Sequence, residues 1–113
     1  MKVLVFVKAN GDAEAEKLPS GEAFREMRSF DEELIRAGIM LAAERLAPSS
    51  RGKRVLCVGK ERTVIDGPFT ETGELILGLW LWQVKSIDEA VEWVRRSPFR
   101  EGEIEIRPVV GPE

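Results

Sequence analysis

Hydrophobic and polar positions along this chain change period several times, and each change marks an element. Residues 3–7 (Val-Leu-Val-Phe-Val) are apolar without alternation, the pattern of a short strand covered on both faces and central in its sheet. Residues 9–18 are polar, with Gly11 and several acids, and predict a solvated loop. Beyond Ser20, a candidate N-cap, the positions Phe24, Met27, Phe30 or Asp31, Leu34 and Ile35 recur near helical spacing. A helix with one apolar face therefore runs to Gly38, a natural C-terminal stop. Glu32 and Arg36 stand four apart on its exposed side, in the favourable order for an ion pair.

Residues 39–46 are ambiguous. Propensity alone carries the helix through Met40, Leu41, Ala42 and Ala43, but Gly38 interrupts it and a helix over 20–47 is long for this chain. The segment is read as a strand. Pro48-Ser49-Ser50-Arg51-Gly52 is a loop, and residues 54–58 and 62–65 are the arms of a hairpin around Gly59-Lys60-Glu61. Cys57 lies inside the first arm, where a buried or half-buried structural thiol is expected. In residues 75–84, Trp80, Trp82 and Val84 share one face of a strand and Leu77, Leu79 and Leu81 the other, so both faces need cover. Ser86-Ile87-Asp88-Glu89 is a capping box. It opens a helix with Ile87, Ala90, Val91 and Val94 on one face and Trp93 beside them, which ends before Pro98. Residues 103–107 alternate strictly, isoleucines inward and charges outward.

The chain is organised around residues 63–72. Thr63, Val64 and Ile65 suit a strand, and Asp66-Gly67-Pro68 breaks it. An Asp in such a turn normally accepts the N–H two residues on, but Pro68 has none. The Asp66 carboxylate must bond to Phe69 or Thr70, meet a cation, or face solvent or a ligand. That makes it the most informative acid in the chain.

The element order predicts one α+β domain over residues 1–113. It is ferredoxin-like, with a mainly antiparallel sheet, two helices on one face and a β-hairpin insertion. The uncovered face carries either the Trp80/Trp82 set or the leucines. A patch of that size marks an interface or a groove, and homodimerisation by sheet-to-sheet packing is the economical cover.

Composition narrows the function. With 113 residues, 43% hydrophobic and 33% charged, the chain is long enough for a core without metal or disulfide support. A net charge of -3 disfavours nucleic acid as a partner held by bulk electrostatics. The longest apolar run, residues 75–82, falls far short of a membrane span, and residues 3–7 are too short for a signal-peptide core. The single cysteine fits a reducing cytoplasm. Histidine and tyrosine are absent, which excludes Ser-His-Asp and Cys-His nucleophiles and histidine metal sites within one chain. Neither a P-loop, a dinucleotide glycine pattern nor a zinc spacing occurs, so no cofactor or metal is expected. Proton transfer would fall to carboxylates, lysines, Cys57 or water.

Several stretches, taken in order, resemble the YCII-related (DGPF-domain) family: Lys8-Ala9, Phe-Asp-Glu-Glu-Leu-Ile-Arg-Ala-Gly at 30–38, Pro48-Ser49-Ser50, residues 63–69, Gly-Leu-Trp-Leu-Trp-Gln-Val-Lys at 78–85, and residues 103–108. The resemblance covers nearly the whole chain and implies the dimeric α/β-barrel fold, in a family whose functions are mostly unassigned. A His–Asp pair has been proposed as catalytic in some relatives, and without histidine it does not carry over. Where relatives look like Gly-Glu-Gly-Leu this chain has Ala43-Glu44-Arg45-Leu46, which would narrow a pocket floor or add a cation. Gly73 replaces a frequent Lys, removing an anion ligand.

Three functions remain open. The first is a dimeric small-molecule-binding domain with a cleft near the Asp66 turn, its ligand contacts drawn from Trp80, Trp82, Phe69, Glu105 and Arg107. Against it, the tryptophans serve as core or dimer packing and Arg107 as a solvated or ion-paired strand residue. The second is a proton-transfer enzyme of isomerase, dehydratase or lactone-opening type, using Asp66 or Glu44 if burial raises the pKa. Against it, Asp66 only ties its turn and Glu44 is a strand or ion-pair residue. The third is a structural or regulatory interaction module; relatives occur beside transcription sigma-factor genes, but nothing in these residues points to that role.

Overall fold

The structure, a computed structural model, describes residues 1–9, 21–69, 75–100 and 102–111. Its elements run β1 (Lys2–Ala9), α1 (Gly21–Arg36), β2 (Met40–Arg45), β3 (Lys53–Val58), β4 (Glu61–Asp66), β5 (Leu75–Gln83), α2 (Ile87–Arg95) and β6 (Glu103–Pro108), with one 3-10 turn at Ser49–Arg51. Four strands form an antiparallel sheet in the order β2-β5-β1-β6, and β3 and β4 pair only with each other. Each helix links strands that are not neighbours, which is the ferredoxin-like arrangement, and the β3–β4 hairpin is inserted between β2 and β5. The Ser20 N-cap, the polar loop before it and Gly73 lie outside the described residues.

The ambiguity over 39–46 is settled by the end of α1. Gly38 adopts φ +73°, its N–H donates to the Ile35 carbonyl at 3.0 Å, and the Ile39 N–H donates to Leu34 at 2.9 Å. These are the paired bonds of a Schellman cap, which needs a residue free to turn left-handed. Beyond it the chain is extended, and Met40 pairs with Trp82.

The register decides which face is which. Val3 pairs with Trp82 and Val5 with Trp80, and these four side chains meet Phe30 and Leu34 of α1 and Ala90 of α2 in the core. The tryptophan set therefore lies under the helices. Leu4 pairs with Leu81 and Phe6 with Leu79. These residues occupy the opposite face, half-buried. Ile104 and Ile106 pack toward the core as their alternation predicts. The apolar face of α1 is narrower than expected, because Phe24 and Ile35 are exposed while Phe30 and Leu34 are buried. At α2 the Glu89 N–H donates to Ser86 Oγ at 3.2 Å. The Glu89 carboxylate reaches back to the Lys85 N–H at 2.7 Å, one residue beyond the usual capping-box partner.

The hairpin stands off this body. Val55 and Val64 on one of its faces are 55% and 59% exposed, and Leu56, Val58 and Ile65 on the other are 54%, 61% and 43% exposed. The Cα radius of gyration, 15.8 Å, exceeds the roughly 13 Å of a compact chain of this length. Cys57, expected to be buried or half-buried, is exposed. Among the described residues no layer packs over the arm that carries it.

Candidate functional site

The Asp66 turn folds back on the loop after β2. The Gly67 N–H donates to the Gly52 carbonyl at 3.1 Å, the Phe69 N–H donates to Ser49 Oγ at 3.0 Å, and the Gly67–Pro68 peptide is cis. The Arg54 guanidinium lies over the Phe69 ring, 4.0 Å from its centroid, within cation–π range. Glycine is required at 67 by proximity: a Cβ there would lie 1.7 Å from the Ser49 carbonyl oxygen. Among the described residues, Asp66 meets a cation, Lys53, across the hairpin. The Asp66 side chain is 73% exposed, and it lines neither of the two main concavities. The elbow forms, and among the described residues neither of these concavities borders it.

That concavity lies on the helix side of the sheet. It is a cavity of about 310 Å³ walled by Val7 of β1, Met27 of α1, Leu77 of β5, Phe99 and the Trp80 ring, with Ala43, Glu44 and Arg45 of β2 along its edge. Its shape follows from a β-bulge. Val7 pairs with Gly78 and Lys8 with Ile76, so Leu77 is an extra residue at the wall, and bulges commonly re-aim side chains beside functional sites. The Leu46 N–H donates to the Leu77 carbonyl at 2.8 Å and ties the end of β2 to the bulge. Asp31 of α1 also faces this cavity. Its Oδ1 accepts the Trp80 indole N–H at 3.1 Å. Burial pushes the Asp31 carboxyl above its ordinary value, and the bond from Trp80 opposes that rise. A half-buried carboxylate with one oxygen held by an indole, inside an apolar wall, suits recognition of one hydrogen-bond donor or proton exchange with a bound molecule.

The residues singled out in the sequence do not converge. Trp80 is at the cavity wall, edge-on to Phe30 and Phe99 at centroid distances of 5.8 Å each. Trp82 is fully buried beneath it, and Phe69 sits at the hairpin base. Glu105 and Arg107 lie on the opposite face of the sheet, because Phe6 and Leu4 are their partners. Lys8 Nζ donates to Glu105 at 2.5 Å and Arg107 donates to its other oxygen at 3.2 Å. The hydrogen bond from Lys8, then that from Arg107, holds the Glu105 carboxyl below its ordinary value, and the same bond raises the Lys8 pKa. A cleft lined jointly by the tryptophans and the last strand's charges is thus ruled out within one protomer, with the sheet between them. Glu44 borders the cavity but is exposed, so the burial required for acid–base work is missing at Glu44 as at Asp66.

Asp31 is the residue that sequence reasoning passed over. Its signal was its place on the same stripe as Met27 and Leu34: an acid on an apolar helix face needs a partner, and Trp80 supplies it. A second concavity, about 360 Å³, lies between α1 and the segment after α2. Of its lining charges, Arg96 pairs with Glu33 and Glu26 pairs with Arg100 outside the lining, each at 3.3 Å. Among the described residues no cluster of three His, Cys, Asp or Glu is placed to hold a metal ion.

The family model of the YCII-related domain matches residues 1–111. The chain is similar to an uncharacterized protein of Rhizobium meliloti (strain 1021), 31% identical over 88 residues that span 75% of this chain and 71% of the relative.

Proposed function

This chain belongs to the YCII-related family, and we propose that it is a small-molecule-binding domain whose site is the cavity between α1 and the β2-β5-β1 surface. The observation that carries this reading is Asp31, a carboxylate set in an apolar wall with Trp80 holding one of its oxygens. The volume is at the lower end of ligand pockets. The ligand is accordingly a small, mainly apolar molecule with one hydrogen-bond donor for the second carboxylate oxygen. The working form is a homodimer that covers the open face around Leu4, Phe6, Leu79 and Leu81. Among the described residues no helix is long and apolar enough to cross a membrane, and a cytoplasmic setting fits the single thiol.

A thermal-shift screen of small amines, alcohols and phenols tests the reading. A ligand at a hundred times its dissociation constant adds about 2.7 kcal/mol to stability. Hits whose shift survives a large side chain at Ala43 would contradict this site. The raised Asp31 carboxyl favours one second reading, proton transfer on the bound molecule. In that case Asp31→Asn retains binding and loses turnover.

A further inference from the structure

We propose that the β3–β4 ribbon is a dimerisation arm whose apolar faces are covered by a second copy of this chain. The proposal rests on the dimeric reading above and adds a second contact surface to it. Two-stranded hairpins are marginal in water unless something packs on them. This one presents Val55 and Val64 on one face and Leu56, Val58 and Ile65 on the other, all exposed. It is nevertheless pinned at its root by the Gly67–Gly52 and Phe69–Ser49 hydrogen bonds and the stacking of Arg54 on Phe69. A strut fixed in one direction loses little entropy when it docks.

Charge identifies the occupant. Residues 51–66 carry five basic side chains against two acids, Glu61 and Asp66, a net +3 in a chain whose total is -3, which leaves -6 on the remainder. A basic ribbon with apolar faces complements the acidic body of another copy. Nucleic acid would be repelled by that same body.

The test is sedimentation velocity on the whole chain over a concentration series, with three proteins compared: wild type, the double variant Leu56→Glu/Val64→Glu, and Leu79→Glu on the open sheet face. Circular dichroism confirms that each is folded, which the ribbon variant should be because its residues lie outside the core. The expected result is a wild-type dimer that weakens with added salt, and a dissociation constant raised at least about tenfold in the ribbon variant, as for loss of a central interface residue. The exposed Cys57 thiol gives a second readout, reacting more slowly with a thiol reagent in the dimer than after dilution to monomer. A ribbon variant that dimerises as tightly as wild type, while Leu79→Glu is monomeric, overturns the arm and leaves the sheet-face dimer standing. A monomeric wild type overturns both, whether the ribbon then binds duplex DNA, anionic vesicles or nothing. The cavity reading is measured separately and survives either failure.

Discussion

The Trp80 indole N–H donates to the Asp31 carboxylate at 3.1 Å, joining residues 49 positions apart in sequence. The bond ties the floor of α1 to the second central strand, and it leaves one carboxylate oxygen for the cavity. It only partly offsets the cost of taking the charge out of water, since the Asp31 carboxyl still lies above its ordinary value of 3.8.

That imbalance has a sign. A carboxyl raised on folding binds its proton more tightly in the native state, so stability declines as pH rises from the ordinary value through the raised one. The penalty is absent below that window and complete above it. Asp31→Asn removes it while keeping an oxygen for Trp80. The variant should therefore melt higher than wild type at neutral pH, with the difference closing in acid. A melting series against pH checks this; an Asn variant that is less stable at neutral pH would show the carboxylate to be stabilising.

The Lys8–Glu105–Arg107 chain acts in the opposite direction. Glu105 is held below its ordinary value of 4.5. Its contribution is present above that value and fades as pH falls through the lowered one. Lys8→Met should reduce stability near neutrality and shrink the loss on acidification. Acid titration followed by tryptophan emission reads both, and an unchanged acid transition would mean that the pair is too solvated to matter.

The elbow at the hairpin root separates backbone demands from charge. Gly67→Ala drives a Cβ into the Ser49 carbonyl and should lower the unfolding midpoint substantially. Ser49→Ala removes one acceptor from the Phe69 N–H and should cost about 1 kcal/mol. Asp66→Asn, which disturbs only an exposed ion pair, should stay within about 0.5 kcal/mol of wild type. Urea denaturation of the three variants gives the ranking, and an Asp66 variant worse than Gly67→Ala would invert the argument.

Trp82 carries a buried indole N–H with no acceptor among the described residues. Leaving such a donor unpaired costs about 1–3 kcal/mol, so Trp82→Phe relieves a penalty while losing volume. Trp80→Phe loses volume and also strips Asp31 of its donor. Trp82→Phe should be the milder substitution by thermal melting, and the reverse order would imply that Trp82 has a partner.

Much of this architecture was legible because local signals agreed. Gly38 stops α1 through its left-handed cap, Ser86 and Glu89 start α2, and the alternation at Ile104 and Ile106 orients β6. What was not legible depended on tertiary placement. Both faces of β5 are apolar, so the sequence could not say whether tryptophans or leucines lie under the helices; pairing with Val3 and Val5 decides it. Cys57 reads as a buried or half-buried strand residue, but its strand belongs to a ribbon with no neighbouring layer among the described residues. Asp66 drew attention through turn chemistry, and that chemistry was right for the elbow. The acid set in the cavity wall is instead Asp31, and its partner Trp80 lies 49 positions away, so no local pattern shows the pair.

The central claim is that the cavity beside Asp31 receives a ligand. The indole resonance of Trp80 reports on it directly, because its N–H is bonded to that carboxylate. In a ¹H–¹⁵N spectrum the three tryptophans give three indole peaks, and Trp80→Phe assigns the one concerned. Titration with a small amine or phenol that raises the melting temperature should move the Trp80 peak saturably, with little change at Trp93. It should move far less in the Asp31→Asn protein. A stabilising ligand that leaves the Trp80 peak in place, or shifts only resonances of the hairpin, would contradict the site.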